Sequence, residues 1–392
     1  MPKIRPTRFA RTSLRLGLLS LAGGLLAACG GSSDTPAAGG TVTVQFTTPA
    51  AEDVYTASTQ LALAARVTVN GADAADGTTV QFAVGSGAAA LGSTKGGVAT
   101  ATLTGATGRQ QLQASATVSG QSATAVRTVY LRPSPTAMEV LVPAYFYPEG
   151  AGTTAWNTLT TGTAANPGVK VTAIFNPSDG VFTRVDSNLR TVATQFKAAG
   201  GGLLGYVYTG YGDRSVAEIK KNIDAYFNLY GSSLIEGIFL DEMAATANKL
   251  NVYREIYQYI KAKDTNLRVI GNPGMAPVAG YAAVADVLTV FEGKGSQFEA
   301  YDPRTTDTDW LYTRANSTQA ALVHNVANCA AMQKAVLSAA SARYNTGVFF
   351  ATSLEYDFAT DTGNPWDGMP AYWSTMLQTV RSVNVGQALP TC

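Results

Sequence analysis

Two apolar runs in this chain end in acid. Asp241-Glu242 closes Ile235-Glu236-Gly237-Ile238-Phe239-Leu240, and Glu292 follows the run 286–290 through Phe291. Desolvating a carboxylate is costly, so a chain that needed only a core would not end two buried strands this way. Two carboxyl groups facing across a gap can cut a glycosidic bond. One protonates the leaving oxygen, and the other attacks the anomeric carbon or activates water. Asp241 is assigned the nucleophile, kept ionised if neighbours such as Tyr206 or Asn272 hydrogen-bond it. Glu292, partly desolvated beside Phe291, suits the acid/base. Glu242 adjoins Asp241, so its side chain leaves on the other face unless the strand has ended. It reads as a positioning or substrate-binding group. For any one of these acids taken alone, a helix cap or an ion pair is the plainer explanation.

The elements around these acids alternate strand and helix from about residue 133. Apolar strands are expected at 138–146, 169–175, 203–208, 235–240, 267–271, 286–290, 320–323 and 348–351. Helical stripes lie between several of them: Leu189, Val192 and Phe196, stopped by Gly200-Gly201-Gly202; Val216, Ile219, Ile223 and Phe227; and Tyr253, Ile256, Tyr257 and Ile260. Eight such units over about 250 residues predict an α/β fold, a TIM-like (β/α)8 barrel. Chemistry in that fold sits at the C-terminal ends of the strands. Those ends carry Tyr145 and Tyr147, Asn176, Tyr206 and Tyr208, Asp241-Glu242, Asn272, Glu292, His324, and lead on to Glu355 and Asp357. The opposite ends carry no comparable set.

Other chemistries are narrowed by what is missing. His324 is the one histidine, which excludes metal sites built on several imidazoles. No Gly-x-Ser-x-Gly elbow, Walker or dinucleotide fingerprint occurs. No metal and no cofactor are therefore expected. Charged residues make up 14% of the chain, and no basic stripe exists beyond the N-terminus, so nucleic acid is not an expected partner. Tyr145, Tyr147, Tyr206, Tyr208 and Trp366 could stack on sugar rings, with core filling as the alternative. His324 reads equally as substrate-binding or structural.

Residues 1–28 read as a lipoprotein signal peptide. Lys3, Arg5, Arg8, Arg11 and Arg15 precede a short apolar run that ends in Leu26-Ala27-Ala28-Cys29, which looks like a bacterial lipobox. Cleavage there would leave Cys29 lipidated, anchoring the protein to a membrane in the bacterial cell envelope. Gly30 after the cysteine favours the outer membrane in a Gram-negative host. Removing the segment takes away five cations and no acid, so the formal charge falls from +1 to −4. Residues 29–40 form a flexible tether. With Cys29 consumed, Cys329 and Cys392 are an even pair in an oxidising compartment, and a disulfide between them is expected. From 41 to 132 the texture is all-β: short alternating strands separated by Asn70-Gly71, Asp76-Gly77, Lys95-Gly96-Gly97 and Ser119-Gly120. This predicts a β-sandwich. The segments 77–82 and 97–103 resemble bacterial Ig-like repeats of the invasin type, which implies a spacer or adhesion module.

The barrel segment carries a wider resemblance. Val142-Pro143-Ala144-Tyr145-Phe146-Tyr147-Pro148, Phe175-Asn176-Pro177, the run 204–212, Gly237-Ile238-Phe239-Leu240-Asp241-Glu242, Gly271-Asn272-Pro273-Gly274, Phe291-Glu292 and Asn364-Pro365-Trp366-Asp367 occur in order. Over about 138–385 this pattern resembles spherulation-specific family 4, the spherulin 4-like hydrolases of glycoside hydrolase family 135. The resemblance implies a barrel (133–392), endo-acting cleavage of α-1,4-linked N-acetylgalactosamine-containing polysaccharide, and an active centre on the acids matching Asp241, Glu242 and Glu292. Asn176, Asn272, Trp366 and Asp367 join the expected substrate contacts. A monomer acting on a polysaccharide is expected. The alternative is a carbohydrate-binding or adhesion protein on a silent barrel.

Overall fold

The computed structural model describes residues 40–57, 60–87 and 89–392. The expected signal peptide, the lipidation site Cys29 and the tether up to residue 39 lie outside the described residues. The described chain divides into two compact units. One holds 40–49, 62–103 and 113–126; the other holds 50–61, 104–112 and 127–392.

The first unit is built from strands with a two-residue burial period. Leu63, Ala65 and Val67 point inward along one strand, and Val80, Phe82 and Val84 along another, while their neighbours are more exposed. Val42–Thr48 pairs antiparallel with Leu61–Val69, and Thr79–Val84 with Ala89–Ser93. Asn70 and Gly71 both take positive φ (54° and 79°), the backbone of a tight hairpin turn.

The second unit is the barrel. Its eight parallel strands are Glu139–Ala144, Val171–Phe175, Gly202–Tyr208, Gly237–Asp241, Arg268–Gly271, Val287–Lys294, Gln319–His324 and Val348–Ala351. They form one closed sheet, shut by the pairing of Glu139 with Val348. Strands covered on both faces read as near-continuous apolar runs, which is why they are visible in the sequence. Helices Ala151–Ala165, Ser187–Ala198, Val216–Ala225, Leu250–Lys263, Cys329–Ala340 and Trp373–Val385 surround it. After the fifth strand a five-residue 3-10 turn, Ala279–Ala283, stands in for a helix, and after the sixth a short α-helix, Gly295–Ala300, is followed by two 3-10 turns, Asp309–Thr313 and Asn316–Thr318. Cys329, at the start of its helix, is joined to Cys392 by a disulfide.

The two ends of the barrel differ chemically. At the N-terminal end, Glu139 of the first strand is 8% exposed. It takes a two-pronged contact from Arg268 of the fifth strand (2.7 and 2.7 Å) and one from Lys170 (2.8 Å). First and fifth strands stand opposite in an eight-membered ring, so this ion cluster bolts the floor. The carboxylates of interest are at the other end.

One strand departs from its expected form. The sixth runs to Lys294, so Glu292 lies inside it rather than beyond its end. Thr289 pairs with Ala320 but Phe291 pairs with Ala321, so one residue is bulged out. Side chains alternate along a strand, so a one-residue bulge swaps faces for everything after it. Phe291 is thereby turned onto Phe298 and Tyr301 (ring centroids 5.0 and 5.4 Å). Glu292 takes the register of Leu322, inside the barrel.

Candidate active site

Asp241 is the last residue of the fourth strand, in register with Tyr208 of the third. Asn272 follows directly on the fifth strand. Its single amide nitrogen donates to Asp241 Oδ1 at 2.8 Å and to Glu292 Oε2 at 2.7 Å. Its own oxygen accepts the Gly274 N–H at 3.1 Å. That backbone contact fixes which end of the amide faces the acids. A planar NH2 group splays its two hydrogens by about 120°, and linear bonds along them set the two accepting oxygens about 5 Å apart. Asn272 is 7% exposed, whereas Asp241 and Glu292 are each half-buried and reach solvent.

The surroundings of the two acids are unequal. Burial pushes Asp241 above the usual aspartate value, and three donors pull the other way: the Tyr206 hydroxyl (2.8 Å to Oδ2), Asn272 and the Glu242 N–H. Burial, and then the charge on Asp241, push Glu292 up to about 7; Asn272 and the Trp366 indole only partly offset this. Asp241 therefore ionises first and Glu292 keeps its proton into the neutral range. Buried Tyr206 is itself held far above the ordinary tyrosine value, first by burial and then by Asp241, so it remains a donor.

Several expected residues gather around this pair. The Tyr145 ring stands edge-on to Tyr206 at 5.4 Å, and its hydroxyl feels both Asp241 and Glu292. Trp366 is 5% exposed, and its indole favours the Glu292 carboxylate. His324, 2% exposed, packs edge-on to Trp366 at 6.0 Å. Its Nδ1 bonds to Asn325 Oδ1, which also accepts the Tyr356 N–H at 3.1 Å. Since that oxygen already accepts a backbone proton, Nδ1 carries the imidazole hydrogen. Burial lowers the His324 pKa, and the ring is neutral at pH 7. Glu242 falls just past the strand end with φ of 47°, so strand alternation does not govern it. Its carbonyl is braced by Thr209 Oγ1 and Tyr211 N, both at 2.7 Å.

Others do not join the pair. The Tyr147 hydroxyl is engaged by Asp186 and Asn188 at the start of a helix (3.0 and 3.3 Å). The Tyr208 ring is covered by the Arg214 guanidinium, 3.9 Å from its centroid. Asn176 reaches Asp179 at 3.4 Å, and Asp367 is exposed and touches Asn364 through its backbone. Asn272, expected on substrate, spends both amide hydrogens on carboxylates, because it sits between them on the intervening strand. Sequence reasoning placed Thr209 at the end of the third strand without giving it a role, and missed Asp179. Thr209, fully buried, ties the ends of the third and fourth strands together. Asp179 sits in a run of three left-handed residues, 178–180, whose charge reaches Tyr145 and Tyr226. Ser-Asp-Gly after Asn176-Pro177 was the available signal for that turn. Among the described residues no group of three or more His, Cys, Asp or Glu is arranged to hold a metal ion.

A model of spherulation-specific family 4 matches residues 139–380, taking in all eight barrel strands. Spherulin-4 of Physarum polycephalum is 39% identical over 163 residues, 41% of this chain and 47% of that protein. The chain thus spans about half the length of the curated relative it matches. The crystal structure of Aspergillus clavatus Sph3 in complex with GalNAc aligns with a TM-score of 0.50 at 24% identity. It covers 64% of this chain and 99% of that one, a likeness of barrel fold.

Proposed function

The chain belongs to spherulation-specific family 4, and on that premise we propose that it is an endo-acting glycoside hydrolase. The observation that carries this reading is one amide nitrogen lying between two half-buried carboxylates of unequal acidity. Glu292 donates its proton to the glycosidic oxygen as the bond to the leaving sugar breaks. Ionised Asp241 attacks the anomeric carbon and forms an ester to the sugar. Glu292, now a carboxylate, takes a proton from water, whose oxygen displaces Asp241. A separation of about 5 Å falls in the retaining class, roughly 5–5.5 Å, rather than the ~6.5–9.5 Å that leaves room for water. The anomeric configuration is therefore kept. Glu242, turned out of the strand, positions substrate.

The substrate we assign is an exopolysaccharide of α-1,4-linked N-acetylgalactosamine type. GalNAc is the sugar bound by the Aspergillus clavatus protein of like fold. The protein acts from the bacterial envelope, lipid-anchored through Cys29, with residues 41–132 as an Ig-like spacer. The test is reducing-end release from this polymer by wild type, Asp241→Asn and Glu292→Gln. Each substitution should cut the rate by at least about a hundredfold while leaving the fold intact. Full hydrolysis by either variant would refute the assignment. Glycan binding by the wild type with no new reducing ends would leave a binding protein instead. Proton NMR of the first product should show the retained anomer.

A further inference from the structure

The loop after the eighth strand carries an aromatic surface that the reaction above does not use. Tyr356–Asp357 and Thr362–Gly363 pair as a short hairpin. Phe358, beside its first strand, is 40% exposed. The hairpin is stiffly built: Tyr356 OH donates to Asp361 (2.5 Å), the Ala359 N–H to Asp357 (2.9 Å), and Thr360 bonds Thr362 (2.7 Å). The Phe358 ring packs on His324 at 5.8 Å and edge-on to Tyr356 at 4.7 Å. Lys294 Nζ lies 5.9 Å from the ring centre and 3.8 Å from Asp357. An exposed phenyl ring, with a mobile-ended lysine cation reaching over it and a carboxylate 3.8 Å from that cation, fits a sugar ring. The C–H face of the sugar stacks, and its hydroxyls meet a donor and an acceptor.

Two observations tie this surface to the carboxylates. His324 packs on both Phe358 and Trp366, and the Trp366 indole lies near enough to Glu292 to favour its carboxylate form. The exposed large apolar residues of the barrel unit also favour one end. Tyr147, Val181, Tyr211, Met275, Val278 and Phe358 all follow strand C-termini, against three elsewhere. Asp241 stands on the fourth strand, Glu292 on the sixth and His324 on the seventh, and the hairpin follows the eighth. The path from Asp241 through Glu292 leads to Phe358, and an acid stands on the side of the group that leaves.

We propose that Phe358, flanked by Lys294 and Asp357, is a stacking platform for a sugar residue on the leaving-group side of the scissile bond. The proposal rests on the glycosidase reading, and its test is a binding measurement so that the two can fail separately. In the Glu292→Gln protein, calorimetry would compare an α-1,4-linked N-acetylgalactosamine hexasaccharide with free N-acetylgalactosamine. Adding Phe358→Ala should weaken the hexasaccharide roughly tenfold and leave the monosaccharide unchanged. Phe358→Trp should restore affinity and Phe358→Leu should not, since leucine covers His324 without a π face. Equal affinity of the alanine variant and its parent, or full restoration by leucine, overturns the platform. A parent that binds neither glycan overturns it together with the substrate reading. Phe358-dependent binding without cleavage by wild type sinks the enzymatic reading alone and supports the platform.

Discussion

Replacing Asn272 by leucine removes two hydrogen bonds from one nitrogen at nearly constant volume. Each is charge-assisted when its carboxylate is ionised, and such bonds stabilise the charged form by about 1.5–3 kcal/mol. One pH unit corresponds to about 1.4 kcal/mol. The alkaline limb of the rate profile, set by proton loss from Glu292, should therefore move up by about one to two pH units from its position near 7. The bare pair also repels itself. At about 5 Å and an effective dielectric near 20, two unit charges cost roughly 3 kcal/mol; that repulsion is already part of the value near 7 in the wild type, so the further shift comes from the lost donors. Ionised Asp241 becomes scarcer and less well aimed, so kcat should fall about a hundredfold or more. Losing the acceptor for Gly274 N–H leaves a buried donor unpaired, a cost of about 1–3 kcal/mol in stability. The assay is kcat/KM for reducing-end release across pH 4–10, with thermal unfolding in parallel. An unmoved limb with a rate near wild type would refute the role given to Asn272.

Trp366→Phe removes one donor from Glu292 while keeping the ring. Since that donor favours the carboxylate, the alkaline limb should rise; a fall would show the indole acting otherwise. Glu139→Gln should destabilise the barrel by about 3 kcal/mol in denaturant titration, because it leaves Arg268 without its counter-charge. Burial raises the pKa of Glu139, but Arg268 and Lys170 more than offset this and leave it below the ordinary glutamate value. Its stabilisation is thus complete above that ordinary value and is lost as pH falls through the depressed one, a dependence the glutamine variant should lack. Gly180→Ala would place a Cβ 2.3 Å from the Tyr206 carbonyl at a φ of 75°. It should cost both stability and activity, the latter by moving the hydroxyl that holds Asp241; wild-type kinetics would disprove that coupling.

Much of the barrel was legible in the residues themselves. A strand buried on both faces must be apolar throughout, so runs such as Ile238-Phe239-Leu240 and Val348 to Ala351 announce themselves, and turn residues mark their ends. The acids at those ends stood out for the same reason, since desolvation makes a buried carboxylate conspicuous. What the linear order could not contain was pairing. Nothing local in Asn272-Pro273-Gly274 says that one amide will face two acids, 31 and 20 residues away. Tyr147 and Tyr206 look alike as strand-end tyrosines, yet one serves a helix start and the other Asp241. The face that Glu292 presents was decided by a bulge measured against the neighbouring strand. Alternation is a local rule, whereas register exists only between strands, and so only the closed sheet put the second acid opposite the first.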